Sequence, residues 1–320
     1  MLFSALLILG LVTTQAAVAP TAPTEAAIKV VAGNDVVADL VRAIAGQDVE
    51  LFVLGQGADP HHYEPTPADA KKIESADLVI EFGLGLDRAM GKLHRSTGSK
   101  AKLLVVAEGL AKKGSDAAVT DHADHADHAD HADHDHNHDH ASSAVDPHIW
   151  HDPSQVRILN ERICAALVAV RPASAESFRS RSLELDTQLV KLDQWIKAQV
   201  LLIPESKRLL VTTHDGLQSF GNRYGFRVVG IEMTSDGADV APSQLIKMVN
   251  ALRETKSAVV FGDAAHHSRI AATVAREANV RLIETLRLDS LLQTPAVEQG
   301  KAYLETMRLN VNTIVKALQD

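Results

Sequence analysis

Residues 146–153 read Asp146-Pro147-His148-Ile149-Trp150-His151-Asp152-Pro153, and they follow a tract at 121–140, DHADHADHADHADHDHNHDH. Two prolines bracket two histidines in the later stretch, and the fixed φ of proline pins the backbone there. The tract holds eight of the chain's sixteen histidines (His122, His125, His128, His131, His134, His136, His138 and His140), interleaved with seven aspartates. It is low in complexity and acidic while its imidazoles are neutral, so a solvated, disordered loop is expected over 115–144. Imidazole beside carboxylate suits borderline metals such as zinc, copper and nickel. The reading is a loose metal collector beside a fixed metal site. The same stretch divides the chain, because a strand–helix rhythm stops before it and a helical pattern starts after Pro153.

Upstream, short apolar runs alternate with amphipathic segments. Strands are expected at 28–31, 49–54, 78–82 and 102–106, with helices at 34–45, 67–75 and 86–95. Downstream, one helix is expected at 154–170 and a second from Ala173 to Ile203, just before Pro204. Unbroken, the second would span about 45 Å at 1.5 Å per residue, a strut that limits hinge motion. The rhythm then resumes, with strands at 208–212, 227–231, 258–261 and 281–284 and helices at 216–224, 242–255, 267–278 and 297–318. Alternating strands and helices imply parallel sheets covered by helices. The fold class is therefore α/β: two similar parallel-sheet lobes joined by one long rigid helix. The N-terminal lobe is expected at 27–170, the bridging helix at 171–204 and the C-terminal lobe at 205–320.

A length of 320 residues suits about two domains, and 46% hydrophobic residues support substantial cores. The formal charge of −9 argues against nucleic acid or an anionic membrane as partner and suits a cation. Residues 1–19, MLFSALLILGLVTTQAAVA, read as a secretory signal peptide. Their uninterrupted apolar part, Ala5 to Val12, is too short to span about 30 Å of hydrocarbon. No cysteine follows it to carry a lipid, so an exported, soluble protein is expected. Cys164, the single cysteine, rules out an intrachain disulfide and a multi-cysteine zinc site, and its apolar neighbours predict a buried thiol.

In an open parallel sheet, ligands bind beyond the carboxyl ends of the strands. His61 follows the second strand, within DPHHYEPTP at 59–67. His214 ends the first strand of the second half, His148 sits in its own proline turn, and Asp289 lies beyond the last strand. Three imidazoles and one carboxylate, two from each half, make a four-coordinate shell that zinc accepts. His62 and His151 are expected beside the metal or in solvent, not on it. His266 and His267 read as an ordinary helix start, and His94 as a residue of an exposed helix. Glu64, Trp150 and Asp215 are expected to shape loops and orient histidines. No His-Glu-x-x-His motif appears, so a zinc hydrolase is the weaker reading.

The motifs DPHHYEPTP at 59–67, DPHIWHDP at 146–153, TTHDGLQSFGNRYG at 212–225 and LDSL at 288–291 resemble the metal-binding solute receptors of ABC importers. These are the ZnuA/TroA-like proteins of cluster A-I. The resemblance covers nearly the whole mature chain, including the bridging helix and the acidic histidine-rich insert. It implies His61, His148, His214 and Asp289 as the metal ligands, some zinc members using water in place of the carboxylate. It further implies that a histidine at the third position accompanies zinc and a glutamate commonly manganese, so His214 points to Zn²⁺. At 151 this chain carries histidine where the family commonly has an apolar residue. The implied role is a periplasmic high-affinity receptor that is not an enzyme. It would be a monomer that hands Zn²⁺ to a membrane permease and its cytoplasmic ATPase, a periplasmic zinc chaperone being a further partner. A receptor of the same family for manganese or another divalent metal is the alternative.

Overall fold

The computed structural model describes residues 26–57, 60–61, 63–110, 146–231, 241–265 and 268–319. The export signal expected at 1–19 and the histidine-rich loop expected at 115–144 lie outside them, as do His62, His266 and His267. The first sheet comprises β1 (Ile28–Ala32), β2 (Val49–Val53), β3 (Leu78–Glu81) and β4 (Lys102–Val105), with α1 (Asp35–Ala45), α2 (Pro67–Glu74) and α3 (Arg88–Thr97) between them. After α4 (Pro153–Val170) and α5 (Ala175–Val200), the second sheet comprises β5 (Leu209–Thr212), β6 (Arg227–Gly230), β7 (Val259–Asp263) and β8 (Arg281–Leu286). Its helices are α6 (Gln218–Tyr224), α7 (Pro242–Glu254) and α8 (Arg269–Ala278), and α9 (Ala302–Gln319) closes the fold.

Every strand pairing is parallel. The orders, β2-β1-β3-β4 and β6-β5-β7-β8, are the same topology used twice. Each sheet reverses its strand order beside its first strand, and a crevice opens there at the carboxyl ends. This is the expected α/β class with two parallel-sheet lobes. β1 shows why its residues form a central strand: four of its five side chains are buried, so apolar β-branched residues face helices on both sides.

The long helix α5 spans 26 residues, about 39 Å by its rise. It begins after a 3-10 turn at Pro172–Ser174, so the strut is shorter than the expected Ala173–Ile203. Phe178, Leu185, Leu189, Leu192, Ile196 and Val200 form its buried stripe. That stripe joins α1, α4 and α9 in one apolar cluster that also takes in Phe82 from the first half and Phe261 from the second. A shared core of this kind resists hinging more than an isolated helix would. Cys164 is buried in the same cluster, as expected.

Two helix starts differ from expectation for identifiable reasons. α3 begins at Arg88, not near Leu86, because Asp87 accepts hydrogen bonds from the amides of Phe82 (2.6 Å) and Gly83 (3.0 Å) and closes a turn. α9 begins at Ala302, not near Val297. Gly300 precedes it at φ +80°, where a Cβ would come within 2.8 Å of the Ala43 backbone. The amide of Tyr303, in the first turn of α9, donates to Asp39 of α1 at 2.9 Å. The N-terminal half thus satisfies a helix end of the C-terminal half.

Candidate metal centre

His61 stands on the loop after β2, and the start of α2 holds that loop in place. Asp69 accepts hydrogen bonds from the Thr66 amide (2.6 Å), the Thr66 hydroxyl (2.8 Å) and the Tyr63 hydroxyl (2.7 Å). With Thr66 capping the helix in return, this capping box folds the chain back beside His61.

His148 is 2% exposed, at the entry to a 3-10 turn over Ile149–His151. Its amide and its Nδ1 both donate to Asp146 Oδ1, at 2.9 and 2.7 Å. A carboxylate that close keeps the ring proton on Nδ1 and turns the Nε2 lone pair inward. Sequence reasoning missed this role for Asp146, although an aspartate two residues before the histidine was a usable signal. Trp150 packs edge-on against the His148 ring at 5.1 Å between centroids and against Phe82 at 5.1 Å.

His214 follows β5 directly, and Asp289 follows β8. α6, just beyond His214, is tied to the long helix by Arg223, which donates to Asp193 of α5 at 3.1 and 3.0 Å. The Tyr224 hydroxyl adds a third bond to the same carboxylate, at 3.0 Å.

The four expected residues converge. His148 Nε2 lies 3.1 Å from both His61 Nε2 and His214 Nε2. Asp289 presents Oδ1 3.0 Å from His148 Nε2 and 3.8 Å from His61 Nε2, and Oδ2 3.4 Å from His214 Nε2. One ligand atom from each of the four falls within 4.8 Å of the others. A tetrahedral ion with bonds of about 2.0–2.2 Å sets its ligand atoms about 3.3–3.6 Å apart, and the observed separations bracket that edge. Nitrogen lone pairs so close repel one another unless a cation or a proton lies among them. Asp289 Oδ1 is buried and directed at the same point, 3.0 Å from His148 Nε2.

The electrostatics agree. Burial alone would raise the Asp289 carboxyl, but His148, His61 and His214 outweigh it and hold it well below the ordinary range. Burial would also lower His148, yet Asp146 and Asp289 raise it to about 9. The site is thus a pocket of negative potential that draws a proton, or a cation in its place.

The neighbouring residues fall out differently. His151 is buried, with Nε2 3.1 Å from the Leu288 carbonyl oxygen, so that nitrogen serves a carbonyl and not an ion. Burial, aided by the nearby His148, lowers it to about 4 and keeps the ring neutral. Glu64 and Asp215, expected to help orient histidines, are exposed, and the carboxylate on His148 is Asp146. His94, expected on an exposed face, is half-buried, its Nε2 3.1 Å from the Ala101 carbonyl oxygen. The accessory histidines of the tract, His122 to His140, lie outside the described residues.

Residues 30–317 match the family model described as zinc-uptake complex component A, periplasmic. The chain is 29% identical over 298 residues to the manganese-binding lipoprotein MntA of Bacillus subtilis, covering 91% of this chain and 90% of that one. It is 29% identical over 295 residues to the manganese ABC transporter substrate-binding lipoprotein PsaA of Streptococcus pneumoniae, covering 91% and 89%. Among solved structures, the periplasmic zinc binding protein TroA of Treponema pallidum superposes with a TM-score of 0.73 at 24% identity, covering 90% of this chain and 98% of that one. A Mn-bound periplasmic metal binding protein of Candidatus Liberibacter asiaticus superposes with a TM-score of 0.70, at the same identity and coverage. At that identity the structural likeness speaks for the fold, while the family model spans nearly the whole chain. The chain therefore belongs to the zinc-uptake component A family, the periplasmic metal-binding receptors of ABC importers, and is a receptor, not an enzyme.

Proposed function

We propose that this receptor captures Zn²⁺ at His61, His148, His214 and Asp289 and delivers it to a membrane permease driven by a cytoplasmic ATPase. The observation that carries the reading is the convergence of three imidazole nitrogens and one carboxylate oxygen within 4.8 Å. Imidazole-rich, four-coordinate shells suit zinc, whereas manganese prefers carboxylate, carbonyl and water oxygens in six-coordinate shells. The reading extends to export through residues 1–19, a periplasmic location and a monomer built as lobes 27–170 and 205–320 around a bridging segment at 171–204. The histidine tract is an accessory zinc binder of lower affinity, because ordering a low-complexity loop around an ion costs backbone entropy. A periplasmic zinc chaperone is a further partner.

A second reading has its own support, since the relatives described above are named for manganese. Competition titration of metal-stripped protein with Zn²⁺ and Mn²⁺ separates the two. Because zinc generally outcompetes manganese at N/O sites, the proposal is supported if the stripped protein binds Zn²⁺ tightly while Mn²⁺ added alone binds weakly. Manganese holding the site against equimolar zinc overturns it in favour of the second reading.

A further inference from the structure

Asp289 is the ligand with the least obvious support, because it sits on a turn and not on a regular element. Yet both peptide units before it are pinned. Asn310 of α9 takes the Arg287 amide on Oδ1 at 2.9 Å and donates from Nδ2 to the Arg287 carbonyl at 2.8 Å. The Leu288 amide donates to Asp263 Oδ2 at 2.5 Å. The Leu288 carbonyl receives two donors from the other half of the molecule, Trp150 Nε1 at 3.0 Å and His151 Nε2 at 3.1 Å. Both lone pairs of that oxygen are then used. The Tyr303 hydroxyl in turn donates to the Trp150 carbonyl at 2.7 Å.

The donors come from the 3-10 turn that begins immediately after His148. One short turn therefore carries one ligand and, through a single carbonyl, holds another. We propose that His151 is a positioning residue for Asp289 and that the Trp150–His151 pair on the Leu288 carbonyl narrows the site toward a small four-coordinate ion. The inference rests on the zinc reading and deepens it, by assigning part of the selectivity to a residue that does not touch the metal. With the carbonyl held, the backbone at Asp289 keeps its place and the carboxylate stays 3.0 Å from His148 Nε2 and 3.4 Å from His214 Nε2. Without it, the turn relaxes, the spacing of the carboxylate from the three imidazoles loosens, and a larger ion that prefers more oxygen contacts gains relative to zinc.

The test compares His151→Leu, which fills the space without a donor, with His151→Gln, which keeps an N–H at similar reach. Zn²⁺ and Mn²⁺ affinities are measured by chelator competition, and Co²⁺ absorption serves as a coordination-number probe. His151→Leu should lose about 10–100-fold in zinc affinity, the range for outer-shell partners. Its manganese affinity should fall less, and its Co²⁺ band should weaken as coordination expands. His151→Gln should recover most of the zinc affinity and the strong four-coordinate band. The inference is overturned if His151→Leu keeps zinc affinity within twofold. It is equally overturned if both metals weaken in parallel with no change in the Co²⁺ band, or if Gln fails to restore what Leu removes. His148→Ala is the control for the reading beneath it. Loss of tight zinc binding in that variant together with an unaffected His151→Leu sinks only the present inference, whereas tight zinc binding that survives His148→Ala sinks the site itself.

Discussion

Proton competition offers the sharpest quantitative test of the ligand set. Asp146 and Asp289 flank His148 and raise it to about 9 against the opposing effect of burial, so the metal-free receptor would hold a proton at the proposed metal site. The incoming ion displaces that proton, and apparent affinity should therefore rise with pH until about pH 9. Each pH unit below that costs about 1.4 kcal/mol, or tenfold. Between about pH 8 and pH 6.5 the apparent zinc affinity should drop about thirtyfold from His148 alone. An ordinary imidazole, titrating near about 6.5, would leave affinity nearly flat over most of that window. The sign for the metal-free fold is opposite. A histidine raised on folding stabilises the fold fully below its unfolded pKa of about 6.5, and that contribution is lost as pH rises through about 9. Metal-free protein should therefore lose stability across the range in which metal binding strengthens. Chelator competition at several pH values gives the first slope, and calorimetry in buffers of different ionisation enthalpy counts the released proton. An affinity independent of pH between about 7 and 8.5, with no proton released, would refute the coupling of His148 to its two carboxylates.

Other expectations follow from particular contacts. His148→Ala should lower zinc affinity by about two powers of ten or more, while deletion of 121–140 leaves the tight site intact, both read by calorimetry. Equal losses in the two variants would dissolve the distinction between a fixed site and a loose collector. Glu81 is raised to about 7 by burial and by the neighbouring Asp87, against Arg95. Its protonated form favours the fold, so stability is present at low pH and lost as pH rises through about 7. Since Glu81 is half-buried, Glu81→Gln should add only about 1 kcal/mol in urea unfolding at pH 8 and nothing at pH 4. Leu189→Ala removes a fully buried side chain from the α5 stripe and should cost about 2–5 kcal/mol of stability without altering zinc coordination at room temperature.

Much of the arrangement was legible because it lies on local patterns. The short apolar run Ile28-Lys29-Val30-Val31, the Asn34 cap and the helix stripe of α5 each name their own element. His61, His148 and His214 were legible because strand ends and proline turns leave marks in sequence. The parts that escaped depend on distant partners. Nothing near Leu86 announces that Asp87 will bind two backbone amides, and nothing near Val297 announces that Gly300 must slip past Ala43. His94 reads as exposed until the Ala101 carbonyl is placed beside it. The Leu288 carbonyl, which receives both Trp150 and His151, carries no side-chain signature at all.

The most direct measurement is X-ray absorption at the zinc edge on protein loaded with one equivalent of Zn²⁺, with and without residues 121–140. The expected spectrum shows three imidazole nitrogens and one oxygen at about 2.0–2.1 Å, unchanged by the deletion. A six-coordinate shell, or one that disappears with the tract, would contradict a closed site built from His61, His148, His214 and Asp289.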